Sequence, residues 1–338
     1  MPAELVSIAK ALVAEGKGIL AADESSPTIK KRFDSIGTES TEDTRRSYRE
    51  MLFKTDGAQE FISGVILYDE TIRQDASDGQ PLREVLSQKA IIPGIKVDAG
   101  TKALAGAPGE LVTEGLDGLR DRLNEYRELG ARFTKWRAVI TIGDGIPSRY
   151  CIEVNAHALA RYAALSQEAG LVPIVEPEVL MDGDHTVDRC YEVTSQILKS
   201  VYEQLELQRV DLAGTLLKPN MVLSGKDCPQ QASVEEVASR TVEVLRANVP
   251  SSVPGIVFLS GGQSDELATA HLDAMNKIAG SPWQLSFSYG RALQAPALKA
   301  WKGDPSNVAA GQAAFLHRAR CNGAARYGRY SDEMEKAP

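Results

Sequence analysis

Three lysines stand near the ends of short apolar runs: Lys96 in Ile91-Ile-Pro-Gly-Ile-Lys-Val97, Lys135 in Phe133-Thr-Lys-Trp-Arg-Ala-Val139, and Lys218 in Gly214-Thr-Leu-Leu-Lys-Pro-Asn220. Desolvating an ammonium is costly, so a lysine set among apolar residues needs a partner. The run Leu171-Val-Pro-Ile-Val-Glu-Pro-Glu-Val179 offers Glu176 and Glu178, and Gly18-Ile-Leu-Ala-Ala-Asp23 ends in a further acid. On neighbouring strands of one sheet these groups converge, which is how an amine nucleophile and its acid–base partners are assembled. A single lysine of this kind more often snorkels to solvent. Three with carboxylates beside them weigh against that.

Pro219 biases Lys218 toward an extended conformation and cannot continue the ladder, so the strand should end with this lysine at its lip. Leu216 and Leu217 would desolvate the amine and favour the free base that attacks a carbonyl. Glu176 and Glu178 flank Pro177 and share one side-chain parity. Both stay ionised in a dry site only if cations are near, so one is expected to carry a proton while the other holds a lysine. A salt-bridged network with Lys135, Arg137 and Lys218 is the structural alternative, and it is compatible with catalysis.

Ser260-Gly261-Gly262-Gln263 and Gly290-Arg291 follow the last two apolar runs. Glycines let backbone N–H groups approach an anion, a serine hydroxyl adds a donor, and arginine supplies a fork suited to phosphate. Near the amino end, Ser25, Thr28 and Arg32 could meet a second phosphate, whereas Lys30 and Lys31 read as a solvated helix start. Metal catalysis has little to stand on: His157, His185, His271 and His317 show no H-x-x-x-H spacing, and the polarity around His185 in Met181-Asp-Gly-Asp-His185 suits a loop.

The elements that must position these groups can be read in order. Eight strand-like runs, Gly18 to Asp23, Gly64 to Asp69, Ile91 to Val97, Arg132 to Val139, Leu171 to Val179, Gly214 to Asn220, Gly255 to Ser260 and Gln284 to Gly290, alternate with helical patterns. The helices are expected over Glu42 to Phe53, Leu116 to Leu129, Val154 to Ala169, Val187 to Leu207, Val234 to Ala247 and Asp265 to Ile278, with Ser233 and Ser264 as N-caps. Strand–helix alternation needs crossover connections and favours a parallel sheet. Polar residues end nearly every run, and no G-x-G-x-x-G follows the first. That pattern favours an α/β (β/α)8 TIM barrel over a doubly wound sheet. A helix before residue 17 and another over Asn307 to Ala325 are additions outside the repeat. No linker-like stretch divides the chain, so one catalytic domain is expected over residues 1–338, with the barrel over about 17–300 and a C-terminal helix and tail over about 305–338.

With a net charge of -8, the chain is a poor general nucleic-acid or anionic-membrane binder, and the expected partner is a small molecule. The scattered Cys151, Cys190, Cys228 and Cys321 form no C-x-x-C pair. With no membrane-length apolar run and no signal-peptide core, a cytoplasmic location is expected.

The segments Gly18-Ile-Leu-Ala-Ala-Asp-Glu-Ser25, Gly94-Ile-Lys-Val-Asp98, Lys135-Trp-Arg137, Val172-Pro-Ile-Val-Glu-Pro-Glu178, Leu216-Leu-Lys-Pro-Asn220, Phe258-Leu-Ser-Gly-Gly-Gln263 and Phe287-Ser-Tyr-Gly-Arg-Ala292 closely resemble class I fructose-1,6-bisphosphate aldolase. The resemblance runs in order from about Gly16 to Gly328. It implies a metal-independent lyase, with no cofactor, that reversibly cleaves fructose 1,6-bisphosphate in glycolysis and gluconeogenesis. Carried over by motif, Lys218 forms the Schiff base, Glu176 serves as acid and base, Lys135 supports charge transfer, Glu178 positions the lysines, and Asp23 handles the substrate hydroxyl. Ser260, Gly261, Gly290 and Arg291 bind the 1-phosphate; Ser25, Thr28, Arg32, Lys96 and Arg137 serve the other end. A homotetramer is common in the family. Thr28 stands where members often have serine, and no tyrosine follows Tyr330, where many members carry a terminal tyrosine that assists proton exchange. Another Schiff-base aldolase, acting on sedoheptulose bisphosphate, and a non-catalytic scaffold of this fold are the rivals; the intact set Asp23, Lys135, Glu176 and Lys218 disfavours the scaffold.

Overall fold

The eight apolar runs form a closed barrel of parallel strands in a computed structural model that describes residues 2–336. In chain order the strands are β1 (Gly18–Ala22), β2 (Ile62–Leu67), β3 (Ile92–Lys96), β4 (Thr101–Ala103), β5 (Leu111–Thr113), β6 (Phe133–Ile140), β7 (Val172–Val179), β8 (Leu216–Leu217), β9 (Gly255–Phe258) and β10 (Gln284–Tyr289). The barrel closes in the order β1-β10-β9-β8-β7-β6-β3-β2, and β4 and β5 form a separate antiparallel ribbon. Every residue of β6 except Arg137 is buried, and all of β7 is, as expected of strands covered on both faces.

The helices over Glu42–Phe53 and Val187–Leu207 have the expected limits. The Ser233 and Ser264 side chains accept from the backbone N–H of Glu236 and Leu267, the N-cap geometry that satisfies an orphan donor. Other features depart from the sequence reading. The helix expected from Val154 starts at Arg149, capped by Ser148. The sixth run shrinks to Leu216–Leu217, because Pro219 ends the ladder just after the Lys218 N–H donates to the Val175 carbonyl. The helix Ser26–Asp34 carries Lys30 and Lys31, as their reading as a helix start expects, whereas the helix Arg291–Trp301 begins at the Gly-Arg pair expected to belong to a phosphate loop. Beyond Arg326 the expected irregular tail contains a short 3-10 turn at Asp332–Lys336; Ala337 and Pro338 lie outside the described residues.

The helix Pro2–Leu12 closes the base of the barrel. Its Leu5, Ala9 and Leu12, with Val13, cluster with Ile19, Ile66, Phe133, Val172, Ile174, Leu216 and Val257 from the strands. Bulky side chains here leave no space on facing strands. A Cβ on Gly94 would lie 2.3 Å from the Phe133 ring, and one on Gly255 would lie 2.6 Å from Val13. The far end of the chain locks this plug, since the Arg326 guanidinium donates to the carbonyls of Val13, Ala14 and Lys17 at 2.9–3.0 Å. Gly94→Ala should therefore destabilise the fold by about 1–3 kcal/mol through overpacking, read as a lowered midpoint in urea unfolding; an unchanged midpoint would show that Phe133 can step aside.

Candidate active site

Parallel strands all present their C-terminal ends to one mouth, so residues at those ends meet whatever their distance in sequence. Every residue singled out above for catalysis or phosphate binding lines a single cleft there, of about 690 Å³. Register does the finer positioning. Lys96 pairs with Lys135 across β3 and β6, Arg137 with Glu176 and Val139 with Glu178 across β6 and β7. Residues of common parity on adjoining strands thus project together into the barrel mouth.

At the centre is a buried ionic chain. Lys135 Nζ lies 2.7 Å from Asp23 Oδ2 and 3.3 Å from Glu176 Oε2, and Lys218 Nζ lies 3.3 Å from Glu176 Oε1. All four residues are less than a tenth exposed. Arg137 clamps Glu178, and Lys96 stands 3.9 Å from Asp98. Strand order places Asp23, just beyond β1, opposite Glu176 on β7, so Lys135 spans the mouth. Burial pushes the Asp23 carboxyl up, yet the ammonium groups of Lys135, Lys218 and Lys96 together hold it well below the ordinary carboxylate range. Burial likewise works against the charged form of Lys135, and Asp23, Glu176 and Asp98 overcome it, keeping this amine protonated. Glu176 is also held low, against burial, by Lys135, Lys218 and Arg137. The expected division, with one glutamate protonated at rest, therefore does not fall on Glu176, which is anionic. Its buried Oε2 accepts no hydrogen bond and is held only by the ionic contact with Lys135 at 3.3 Å.

The two lysines are unequal. Lys135 is bridged between two carboxylates, whereas Lys218 contacts one and sits at the lip of the shortest strand. Asn220 fixes that lip. It accepts from the Val179 N–H at 3.0 Å and donates to Thr194 Oγ1 at 3.1 Å, stapling the end of β7 to the segment that carries Lys218.

Two sets of anion-seeking groups flank the ionic chain. Ser260, Gly261, Gly290 and Arg291 follow β9 and β10, while Lys96 and Arg137 lie across the barrel on β3 and β6. Gly261 has φ +56°, a left-handed conformation that a side chain would strain. The loop is braced from behind: buried His271 Nδ1 lies 2.6 Å from Gln263 Oε1, and Gln263 Nε2 donates to the Ser260 carbonyl at 3.1 Å. Arg291 donates to the carbonyls of Gly261 and Gln263. Ser25 and Thr28 share a hydrogen bond at 3.1 Å, and Arg32 lies beside Gly290, where a Cβ would stand 3.6 Å from its guanidinium.

Sequence reasoning passed over Glu24, Asn220 and the Gln263–His271 brace. Glu24 holds Arg32 at 2.5 Å, and its Oε1 accepts from Gln294 at 2.8 Å. The available signal was adjacency, since each sits inside or beside a quoted motif. Tyr330 is buried with its hydroxyl donating to Glu335, and among the described residues no tyrosine lines the cleft. All four cysteines are buried and free. No helix among the described residues is long and apolar enough to cross a membrane.

The fold and its charged mouth define a (β/α)8-barrel enzyme with an amine-centred acid–base site. The family described as fructose-bisphosphate aldolase class-I matches residues 4–338. A probable fructose-bisphosphate aldolase class 1 of Xanthomonas campestris pv. campestris is 59% identical, covering 97% of this chain and 98% of that protein. Fructose-bisphosphate aldolase 4, cytosolic, of Arabidopsis thaliana is 51% identical, covering 98% and 85%. The solved structure of fructose-bisphosphate aldolase from Plasmodium falciparum, in complex with TRAP and a small-molecule inhibitor, superposes with a TM-score of 0.97 at 48% identity, covering 98% of this chain and 96% of that one. The chain belongs to the class I fructose-bisphosphate aldolase family and is a lyase.

The ionic chain yields a sign for pH dependence. Asp23 and Glu176 are depressed in the folded state, so the stabilisation they contribute is present above their unfolded values, near 4, and is lost only as pH falls through the lower folded values. Lys135→Met leaves burial with less opposition, so both carboxyl groups should titrate at higher pH. Such a variant should lose about 3–5 kcal/mol at neutral pH, with the loss shrinking toward acid as the carboxyls protonate. Thermal melts of both proteins from about pH 7 down to pH 4 test this; a constant difference would show that Lys135 does not set these charges.

Proposed function

We propose that Lys218 is the Schiff-base lysine in the reversible cleavage of fructose 1,6-bisphosphate to dihydroxyacetone phosphate and glyceraldehyde 3-phosphate. The observation that carries this assignment is the unequal pairing of the amines: Lys135 is locked as an ammonium between two carboxylates, while Lys218 contacts a single carboxylate, through Glu176 Oε1. In this reading Lys218 passes a proton to Glu176 and attacks the ketone carbon. Glu176 then returns a proton to the carbinolamine hydroxyl, which leaves as water. The resulting iminium is the electron sink. Asp23, anionic in the resting site, takes the proton of the C4 hydroxyl as the C3–C4 bond breaks and its electron pair moves to the iminium, giving an enamine and the free aldehyde. Protonation of the enamine carbon and hydrolysis release the second product and restore the amine.

Lys135 remains cationic and compensates charge as protons move, and Glu178, held by Arg137, keeps the cationic wall in place. Ser260, Gly261, Gly290 and Arg291 bind the 1-phosphate. Lys96 and Arg137 serve the far end, to which the resemblance adds Ser25, Thr28 and Arg32, with Arg32 also bordering Gly290; the cations of the two sets on opposite sides of the mouth suit a substrate with a phosphate at each end. The same reading takes the chain as one catalytic domain acting without a metal in glycolysis and gluconeogenesis. The cytosolic designation of the Arabidopsis relative supports a cytoplasmic location. A homotetramer rests on family resemblance.

Borohydride reduction with dihydroxyacetone phosphate, followed by peptide mass mapping, should place a covalent adduct on the Lys218 peptide and none in Lys218→Met. An adduct on another lysine would sink the assignment. Glu176→Gln should lower kcat by about 10²–10⁴-fold, the usual scale for a proton carrier. Doubly phosphorylated ketoses should be cleaved with higher kcat/KM than singly phosphorylated ones, and Arg291→Ala should narrow that gap; equal values in the parent protein would remove the two-phosphate reading.

A further inference from the structure

Away from the cleft, the last helix, Val308–Ala325, meets the turn Asp332–Lys336 at a cluster of metal-ligating groups. His317 and Cys321 stand four residues apart, on one face of the helix. His317 Nε2 lies 3.7 Å from Cys321 Sγ and 3.7 Å from Glu335 Oε2, and all three donor atoms fall within 4.8 Å of one another. A tetrahedral zinc with bonds of about 2.0–2.3 Å sets its ligand atoms roughly 3.3–3.7 Å apart, so small side-chain shifts suffice.

The surroundings favour a built site over a chance meeting. Glu335 Oε1 is held by the Arg318 guanidinium and by the Tyr330 hydroxyl at 2.8 Å, which turns Oε2 toward the imidazole. Holding one carboxylate oxygen while presenting the other is the task of outer-shell partners at metal sites. Cys321 is fully buried on the helix side, while His317 and Glu335 are each about a fifth exposed, leaving an entry path and room for water as a fourth ligand. Burial pushes the Cys321 thiol up to about 11, so an incoming cation must displace its proton to solvent.

We infer that His317, Cys321 and Glu335 form a binding site for zinc, or a similar thiophilic divalent cation, that ties the C-terminal turn to the last helix. Thiolate and imidazole donors together select zinc over magnesium or calcium. None of the three residues lines the cleft, so the ion acts as a clasp on the tail and takes no part in carbon–carbon cleavage.

The test uses the purified full-length chain, stripped with a chelator, kept reduced with a phosphine, and titrated with cobalt(II). Tetrahedral visible bands and a thiolate-to-cobalt charge-transfer band should grow to saturation at one cobalt per chain, and zinc should bleach them. Cys321→Ala should abolish the charge-transfer band, with retained aldolase activity showing that the variant folds. Zinc affinity, measured against a chromophoric chelator, should fall by roughly 10–100-fold in Tyr330→Phe, the scale for loss of an outer-shell partner, and by at least as much in Glu335→Gln. Zinc should also protect the C-terminal turn from limited proteolysis. No charge-transfer band, a band that persists in Cys321→Ala, or unchanged zinc affinity in Glu335→Gln would each overturn the site.

Discussion

The Lys135 ammonium is the constraint around which the barrel mouth is organised. It stands between carboxylates that arrive from opposite walls, Asp23 after β1 and Glu176 on β7. Either carboxylate alone at that depth would shed its charge by taking a proton. Together with Lys135 and Lys218 they stay ionised, and the mouth holds a dense charged array in little water. Such arrays are seldom the most stable filling for a cavity, and a well-packed apolar set would serve a scaffold as well. Their presence at the open end of this barrel, with the small apolar cluster inside it lying at the base, separates the chemical end from the structural end.

That array imposes demands on the frame. Arg137 and Glu176, like Val139 and Glu178, are register partners, so a slip of β7 by one residue would turn Glu176 and Glu178 away from the lysines and into the helical layer. Register is secured from both ends. At the base, Phe133 fills the space left by Gly94, and at the mouth Asn220 ties the end of β7 to the Lys218 segment. Glu24 and the His271–Gln263 pair do the same for the anion-seeking loops, one behind Arg32 and the other behind Ser260.

Much of this could be read from the chain, for identifiable reasons. Strands covered on both faces leave continuous apolar runs, which is why β6 and β7 were legible almost to the residue. Helices with a polar outer face and a serine cap, such as Val234–Asn248, announced their starts. The helix Arg291–Trp301 hid behind Pro296 and behind a Gly-Arg pair that reads as a phosphate loop. Thr101–Ala103 is wholly exposed and carries no apolar signature, so the ribbon was invisible. Within the site, residue types and strand ends indicated that amines and acids converge. Which amine is locked and which is available depends on distances between opposite walls, and no local pattern encodes those. The His317 and Cys321 spacing is visible in one helix, but its third member comes from the tail and is brought in by the fold.

The plug formed by Pro2–Leu12 gives the barrel a floor, and a vessel with a floor has one doorway. Substrate and both products must use the same mouth, past the same rings of charge. On the Lys218 assignment, one fragment stays bonded to the enzyme while the aldehyde is free in the cleft. The order of departure is then fixed by plumbing: the untethered half leaves first, and in the reverse direction the tethered half must enter first. Sequential traffic of this kind follows from a covalent tether inside a vessel sealed at its opposite end.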